Sequence, residues 1–312
     1  THSQAVYFLR DSRYDKPGRE VTDNCFLCGR CSQSCPVDIG IDYLRLKQRK
    51  LVTNHMVTPY AWTLPGVNTT QKTDVLYFAG CMSHLTPGIM HSTTELLKRS
   101  GIRFSLLDEE GGICCGRPAM QAGFSDQARA MMEQTTRLIE ASGARLLLVT
   151  CPICYKIFNE EYTLSIPVEH HSVFFNKLMQ GKQGLFSKSS LRMSYHDPCD
   201  LGRGSGIYEE PRAVIRRIGK LVPVNHEKSE ALCCGGSLGN LTLSSGKRAE
   251  IAADAARTLT LASPDELITA CPLCKKTFAQ ATETRVTDIA ELVAAALPKP
   301  AESRSGRKLV RR

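Results

Sequence analysis

Apolar residues fall in short runs along this chain, separated by longer stretches of mixed polarity. The runs Asp74-Val-Leu-Tyr-Phe-Ala-Gly80, Arg145 to Thr150, Arg192 to His196 and Glu266 to Ala270 predict strands. Between them, helical spacing predicts helices over Gly88 to Ser100, Ser125 to Ser142, Pro211 to Gly219 and Gly246 to Leu261. Cys151-Pro-Ile-Cys154 and Cys271-Pro-Leu-Cys274 each open a further helix, because proline at the first helical position gives up no hydrogen bond. Upstream, residues 1 to 20 are polar and the basic stretch Ile41 to Lys50 reads as helical. Thr53 to Thr73, with Pro59, Pro65, Gly66 and Asn68, has no periodicity and reads as a linker in which Trp62 packs; a boundary near residue 70 follows.

Beyond that boundary the pattern repeats. Strand, cysteine, helix, Cys-Cys-Gly, helix, strand and Cys-Pro-x-Cys occur twice, with Cys199 lying 118 positions after Cys81, Cys233 119 after Cys114 and Cys271 120 after Cys151. Alternating strands and helices with short loops predict parallel-sheet layers, whose ligands sit beyond the carboxyl ends of the strands. Cys81, Cys151 and Cys271 directly follow predicted strands, and Cys199 comes shortly after one. The expected fold is α/β: a small helical module over 1–70, two pseudo-symmetric α/β domains over 71–185 and 186–300, and a basic tail over 301–312.

Composition alters this picture at one point. The 312 residues are 42% apolar and 23% charged, which suits a globular protein, but 14 are cysteine. No apolar run approaches the roughly 20 residues of a bilayer span, and no export signal opens the chain. A reducing, cytoplasmic setting is therefore expected, where clustered thiols serve as metal or redox groups. The formal charge of +9 is scattered outside the tail bases Arg304, Arg307, Lys308, Arg311 and Arg312, and no aromatic-plus-basic signature accompanies it, so no nucleic-acid partner is expected. The tail reads as solvated chain.

Cys25-x2-Cys28-x2-Cys31-x3-Cys35-Pro36 has the spacing of the bacterial ferredoxin run for a [4Fe-4S] cluster. In two-cluster ferredoxins the cysteine before proline ligates the other cluster, and no partner run is present here. Two routes to the fourth ligand stay open. Either Cys35 closes the same cluster, or an upstream run is missing from a processed or truncated chain, which the absence of an initial Met favours. A zinc knuckle is the competing structural reading.

The repeats carry Cys81, Cys114, Cys115, Cys151 and Cys154, and Cys199, Cys233, Cys234, Cys271 and Cys274. Five thiols exceed what one tetrahedral zinc accepts and point to a multi-iron cluster, with a spare or redox thiol as the alternative. Helix starts at Pro152 and Pro272 favour thiolates, and Gly116, Gly235 and Gly236 let backbone amides approach sulfur. The two Cys-x(31–39)-Cys-Cys-Gly-x(33–38)-Cys-x-Pro-x-Cys-like patterns, with proline second in Cys-Pro-x-Cys, resemble the CCG-domain family over residues 20–297. That family includes catalytic subunits of heterodisulfide reductases, related sulfite-reduction membrane complexes, and iron-sulfur subunits of glycolate, lactate and anaerobic glycerol-3-phosphate dehydrogenases. Tyr195-His-Asp-Pro-Cys-Asp-Leu-Gly-Arg203 and Ala231-Leu-Cys-Cys-Gly-Gly236 look closest to the heterodisulfide-reductase-like branch.

The resemblance implies a noncubane [4Fe-4S] cluster on each five-cysteine set, so that all ten cysteines belong to the reacting centre, fed from the [4Fe-4S] module at Cys25, Cys28, Cys31 and Cys35. His196 and Asp197 are candidates to supply a proton to a leaving thiolate, against a capping role, and His84 is their counterpart in the first copy. His170-His171 reads as a helix start, and Arg117 and Arg203 as counter-charges to a cluster or substrate or as surface ion pairs. Two functions follow: an iron-sulfur oxidoreductase that cleaves or forms a disulfide between the two halves, or an electron-transfer subunit linking a flavin dehydrogenase to the quinone pool. No Gly-x-Gly-x-x-Gly follows a strand, so a partner, either a flavoprotein or a membrane quinone or cytochrome subunit, must exchange the electrons. The chain would then sit peripherally on the inner membrane face.

Overall fold

The computed structural model describes residues 21–53, 73–109, 113–182, 184–240 and 242–298. The polar amino-terminal stretch, most of the expected linker with Trp62, and the basic tail lie outside those residues. A short helix α1 (Arg30–Gln33) follows the first cysteines, and α2 (Ile41–Thr53) is the expected basic helix.

The first α/β unit has strands β1 (Val75–Phe78), β2 (Phe104–Leu106), β3 (Leu146–Val149) and β4 (Val168–His170). Its helices are α3 (Cys81–His84), α4 (Pro87–Arg99), α5 (Arg117–Ala122), α6 (Ser125–Ala141), α7 (Pro152–Glu160) and α8 (His171–Gly181). The second has β5 (Arg192–His196), β6 (Lys220–Leu221), β7 (Glu266–Thr269) and β8 (Arg285–Asp288), with α9 (Gly202–Ser205), α10 (Glu209–Ile218), α11 (Ser245–Thr260), α12 (Pro272–Phe278) and α13 (Ile289–Ala295). The sheets run β2-β1-β3-β4 and β6-β5-β7-β8, and every pairing is parallel. Leu76 to Phe78 and Leu147 to Val149 are wholly buried on consecutive residues, as strands covered on both faces must be.

In each sheet the chain moves outward from the first strand and then returns to that strand's other side. The switch point therefore lies between β1 and β3, and between β5 and β7, with crevices opening at the strands' carboxyl ends. Cys81 and Cys151 flank the first crevice, and Cys199 and Cys271 the second.

The two units share their cores. Helix α4 of the first unit packs on α13 of the second, α10 of the second packs on α8 of the first, and α8 meets α13. Since α4 corresponds to α10 and α8 to α13, these contacts exchange under a two-fold rotation. One continuous apolar cluster joins Ile89 and Leu96 of α4, Phe175 of α8, Val214 and Ile215 of α10, and Ile289 and Val293 of α13. Leu27 and Leu46 of the amino-terminal module enter a second cluster with Phe78, Ile113 and Phe124.

Arg49 fastens that module. It is almost fully buried, and its guanidinium donates to the carbonyls of Thr22, Asp23 and Cys25 in the module, to Gln121 of the first unit at 2.7 Å and to Gly239 of the second at 3.2 Å. Among the described residues, no helix is long and apolar enough to cross a membrane.

Candidate functional site

The crevices bring together all ten cysteines of the repeats. In the first, Cys81 comes from the start of α3, Cys114 and Cys115 from the loop before α5, and Cys151 and Cys154 from the start of α7. Cys154 Sγ lies 3.3 Å from Cys115 Sγ, and Cys114 accepts hydrogen bonds from both Cys115 and Cys81. The second repeats the arrangement: Cys274 Sγ is 3.3 Å from Cys234 Sγ, and Cys233 bonds to Cys199 and Cys234. Pro152 and Ile153, directly after Cys151, line one small space with Cys271 and Cys274, the equivalent segment of the other copy, so the two nests adjoin.

Backbone geometry explains the Cys-Cys-Gly signature. Gly116 and Gly235 have φ of 82° and 79°, in the left-handed region. A side chain there would also meet the next helix, with a Cβ on Gly116 lying 3.0 Å from the Ala128 carbonyl and one on Gly235 lying 3.1 Å from Ile251 Cγ2. This turn aims amides at sulfur: Gly116 N–H at Cys114, Arg117 N–H at Cys115, Gly235 N–H at Cys233 at 3.5 Å, and Gly236 N–H at Cys234. Gly80 keeps the approach to Cys154 open, since a Cβ would stand 3.3 Å from that sulfur.

Protons are shared unevenly within each nest. Hydrogen bonds from Cys115 and Cys81 pull the Cys114 thiol down to about 4, while donating to Cys114 pushes Cys115 well up. The neighbouring thiols Cys154 and Cys271 hold Cys151, and Cys233 and Cys274 hold Cys234, well below the usual thiol range. Cys154 and Cys274 are pushed well above it. Full deprotonation would concentrate negative charge in a buried space, which only bound cations can offset. Among the described residues, no three His, Cys, Asp or Glu side chains close round one point as ligands of a single ion. The donor set, five thiols from three chain segments with amides trained on them, fits a multi-iron cluster in chemistry.

In the amino-terminal module, Leu27 and Gly29 take left-handed backbone, at φ 53° and 72°, and the Leu27 amide donates to Cys25 Sγ at 3.3 Å. Cys25, Cys28 and Cys31 lie close enough to influence one another electrostatically. The neighbouring Cys233 of the second nest, the Arg30 amide and the Arg203 guanidinium lower the Cys28 thiol to about 6. Cys35 is half-buried in the turn after α1, where its carbonyl accepts from Asp38 N.

The remaining candidates fall mostly into positioning roles. His196 is buried, and burial lowers its pKa; its Nε2 donates to the Leu232 carbonyl at 3.1 Å, beside Cys233. Asp197 forms a two-pronged ion pair with buried Arg212 at 2.6 and 2.7 Å. His84 meets Asp108, whose carboxylate accepts from the Ala79 and Gly80 amides and so fixes the turn before Cys81. His170 caps α8 as the helix-start reading requires, and its ring faces the carbonyls of Thr150 and Ala270, the residues before Cys151 and Cys271. His171 binds Asp288 at 3.0 Å. Arg117 is buried and pairs with Glu160 at 3.5 Å, while Arg203 is spent on carbonyls.

Sequence reading missed Arg49, Asp108 and Asp288. Asp108 alone left a signal, a carboxylate directly after the apolar pair Leu106-Leu107. Clefts of 240 and 320 Å³ flank the module, with Lys156 lining both, while the space among the second nest's thiols is only 30 Å³.

Twin parallel sheets that each close a five-thiol crevice define a duplicated cysteine-rich α/β scaffold. The chain belongs to the CCG family, whose cysteine-rich domain matches residues 75–159 and 193–279. It is 30% identical to a subunit of the dihydromethanophenazine:CoB–CoM heterodisulfide reductase of Methanosarcina barkeri, over 89% of this chain and 78% of that one. Against the corresponding protein of Methanosarcina acetivorans it is 28% identical over 76% of its length and spans 62% of that protein. It is 27% identical to the EtfAB:quinone oxidoreductase of Syntrophomonas wolfei, over 70% of this chain and 34% of that one. A hypothetical protein from Helicobacter pylori shares the fold, with a TM-score of 0.55 at 12% identity over 83% of this chain and 58% of that one.

Proposed function

We propose that the chain is an iron-sulfur oxidoreductase subunit that reduces or forms a disulfide at its paired thiol nests. The observation that carries this reading is that the segment after Cys151 shares one small space with Cys271 and Cys274, which would set two equivalent one-electron sites against each other for a two-electron reaction. A heterodisulfide reductase subunit is a relative over most of the chain. Cys81, Cys114, Cys115, Cys151 and Cys154 would hold one noncubane [4Fe-4S] cluster, Cys199, Cys233, Cys234, Cys271 and Cys274 the other, and Cys25, Cys28, Cys31 and Cys35 a [4Fe-4S] cluster; when bound, these groups supply one-electron redox chemistry.

The protein's own groups prepare that chemistry. Amides of Gly116, Arg117, Gly235 and Gly236 stabilise charge on sulfur. Asp108 holds the turn before Cys81, and His196 the loop before Cys233, both through backbone. His196 thus acts in this reading as a positioning residue in its neutral form. The apolar wall of Ile153, Leu273 and Phe26 around the second nest keeps water from the thiols.

A second reading, an electron conduit between a flavoprotein and a quinone-reducing partner, draws on a different observation. The 30 Å³ between the thiols and that wall admits no disulfide substrate without movement. Anaerobic iron and acid-labile sulfide analysis, with EPR before and after addition of disulfides or thiols, separates the two. About twelve irons and a thiol-responsive signal are expected for the disulfide enzyme. A full iron complement indifferent to thiols selects the conduit, and zinc in place of iron removes both.

A further inference from the structure

The two repeats are equivalent in sequence and fold, yet the amino-terminal module does not treat them alike. Its cysteine loop borders the thiols of the second copy: Cys28 lines one cleft with Cys199, and Phe26 lines a small space with Cys233 and Cys234. Arg203 builds this junction. Its Nε donates to the Cys28 carbonyl at 2.9 Å, and its Nη1 donates to the carbonyls of Ser229 at 3.0 Å and Ala231 at 2.7 Å, on the segment leading into Cys233-Cys234. Arg30 pairs with Glu230 at 3.6 Å, and Thr242 donates to Asn24 at 3.0 Å. Its other groups serve both copies: Leu27 and Leu46 join an apolar cluster built from the two, and Arg49 reaches the carbonyls of Gln121 in the first and Gly239 in the second. The first copy adjoins the second nest where Pro152 and Ile153, directly after Cys151, line one space with Cys271 and Cys274.

We infer that electrons leaving the amino-terminal module enter the second copy first, across Cys28 and Cys233, and reach the first copy only across Cys271 and Cys151. The inference rests on the iron-sulfur reading above. Each transfer moves one electron, oxidising the module and reducing the second site, with no bond made or broken; the module is re-reduced by a low-potential one-electron donor. Proximity of the cysteine segments sets this order because electronic coupling falls steeply with through-space separation. Arg203 is the positioning residue that holds the junction closed.

Magnetic coupling reads the order without any turnover. In the anaerobically reduced full chain, the amino-terminal EPR signal should relax fast through its neighbour. Cys274→Ala, which breaks the second set, should abolish that enhancement, whereas Cys114→Ala, which breaks the first, should leave it intact. Arg203→Ala, with every cysteine retained, should weaken the enhancement at unchanged iron content, and Arg203→Lys should restore part of it. Enhancement that survives Cys274→Ala and vanishes in Cys114→Ala, or that ignores Arg203→Ala, overturns the order while leaving the iron-sulfur reading standing. A wild-type chain without iron after anaerobic reconstitution overturns the reading itself.

Discussion

At the scale of single residues, the site depends on backbone shape as much as on sulfur. Gly116 and Gly101 both take left-handed φ, but a Cβ on Gly101 would meet nothing within 4 Å, whereas one on Gly116 would press on the Ala128 carbonyl. Gly101→Ala should therefore cost only the left-handed penalty of about 1 kcal/mol, and Gly116→Ala clearly more. Anaerobic denaturant titration checks the difference, and equal costs would show that the turn relaxes freely. His84 gives a pH signature. Its hydrogen bond to Asp108 raises its folded pKa above the usual value near 6.5, so the stabilisation is fully present below that pH and is lost as pH rises through the raised value. His84→Ala should cost about 1 to 2 kcal/mol at about pH 5.5, and less by about pH 9. A penalty that grows with pH would contradict the pairing.

At the scale of elements, Arg49 turns a short helical module into part of the body. Its five carbonyl acceptors lie in three separate parts of the fold, and removing a buried charged donor strands them. Arg49→Met should cost about 3 kcal/mol, felt mainly by residues 21–53. Limited proteolysis should then cut the module while the twin α/β body persists, and uniform protection would show that its apolar contacts suffice. This role could not be read from a basic helix whose charges look solvated. The central strands β1 and β3 were legible because continuous apolar runs mark strands buried on both faces, and β5 and β7 because Arg192-Met-Ser-Tyr-His196 and Glu266-Leu-Ile-Thr269 hold the same places in the repeat. The edge strands β2, β4, β6 and β8 were not: Lys220-Leu221 and Arg285-Val-Thr-Asp288 are short and polar, and only the neighbouring strand makes them extended. Helix α13 went unread, and α8 was legible only at its His170-His171 start, for a related reason, since their apolar surfaces answer to the opposite unit rather than to a solvent boundary. The repeat cysteines were legible throughout, but the adjoining of the two nests depends on how the halves pack, which spacing does not encode.

At the scale of the whole molecule, two units in one chain could behave as independent domains joined by a linker, and the packing argues otherwise. The cluster that joins α4, α8, α10 and α13 includes Phe175 with no exposed surface, Tyr195 from β5 and Ile268 from β7, so the first unit completes the core of the second. His171 of the first unit holds Asp288, whose carboxyl caps α13 and faces the Cys271 amide. The interface thus runs directly behind the place where the nests adjoin, and separating the units would break the arrangement that makes them a pair. A fold of this kind should unfold in one transition, since neither half keeps a closed core alone. Phe175→Ala removes a large buried ring at that interface and should cost about 3 to 5 kcal/mol. Because the core is common, the loss should appear as one midpoint shifted downward, with protection from hydrogen exchange falling in both sheets. Two separate transitions, or a loss of protection confined to the first sheet, would show the halves to be autonomous, and the alignment of the nests would then need another protein to hold it.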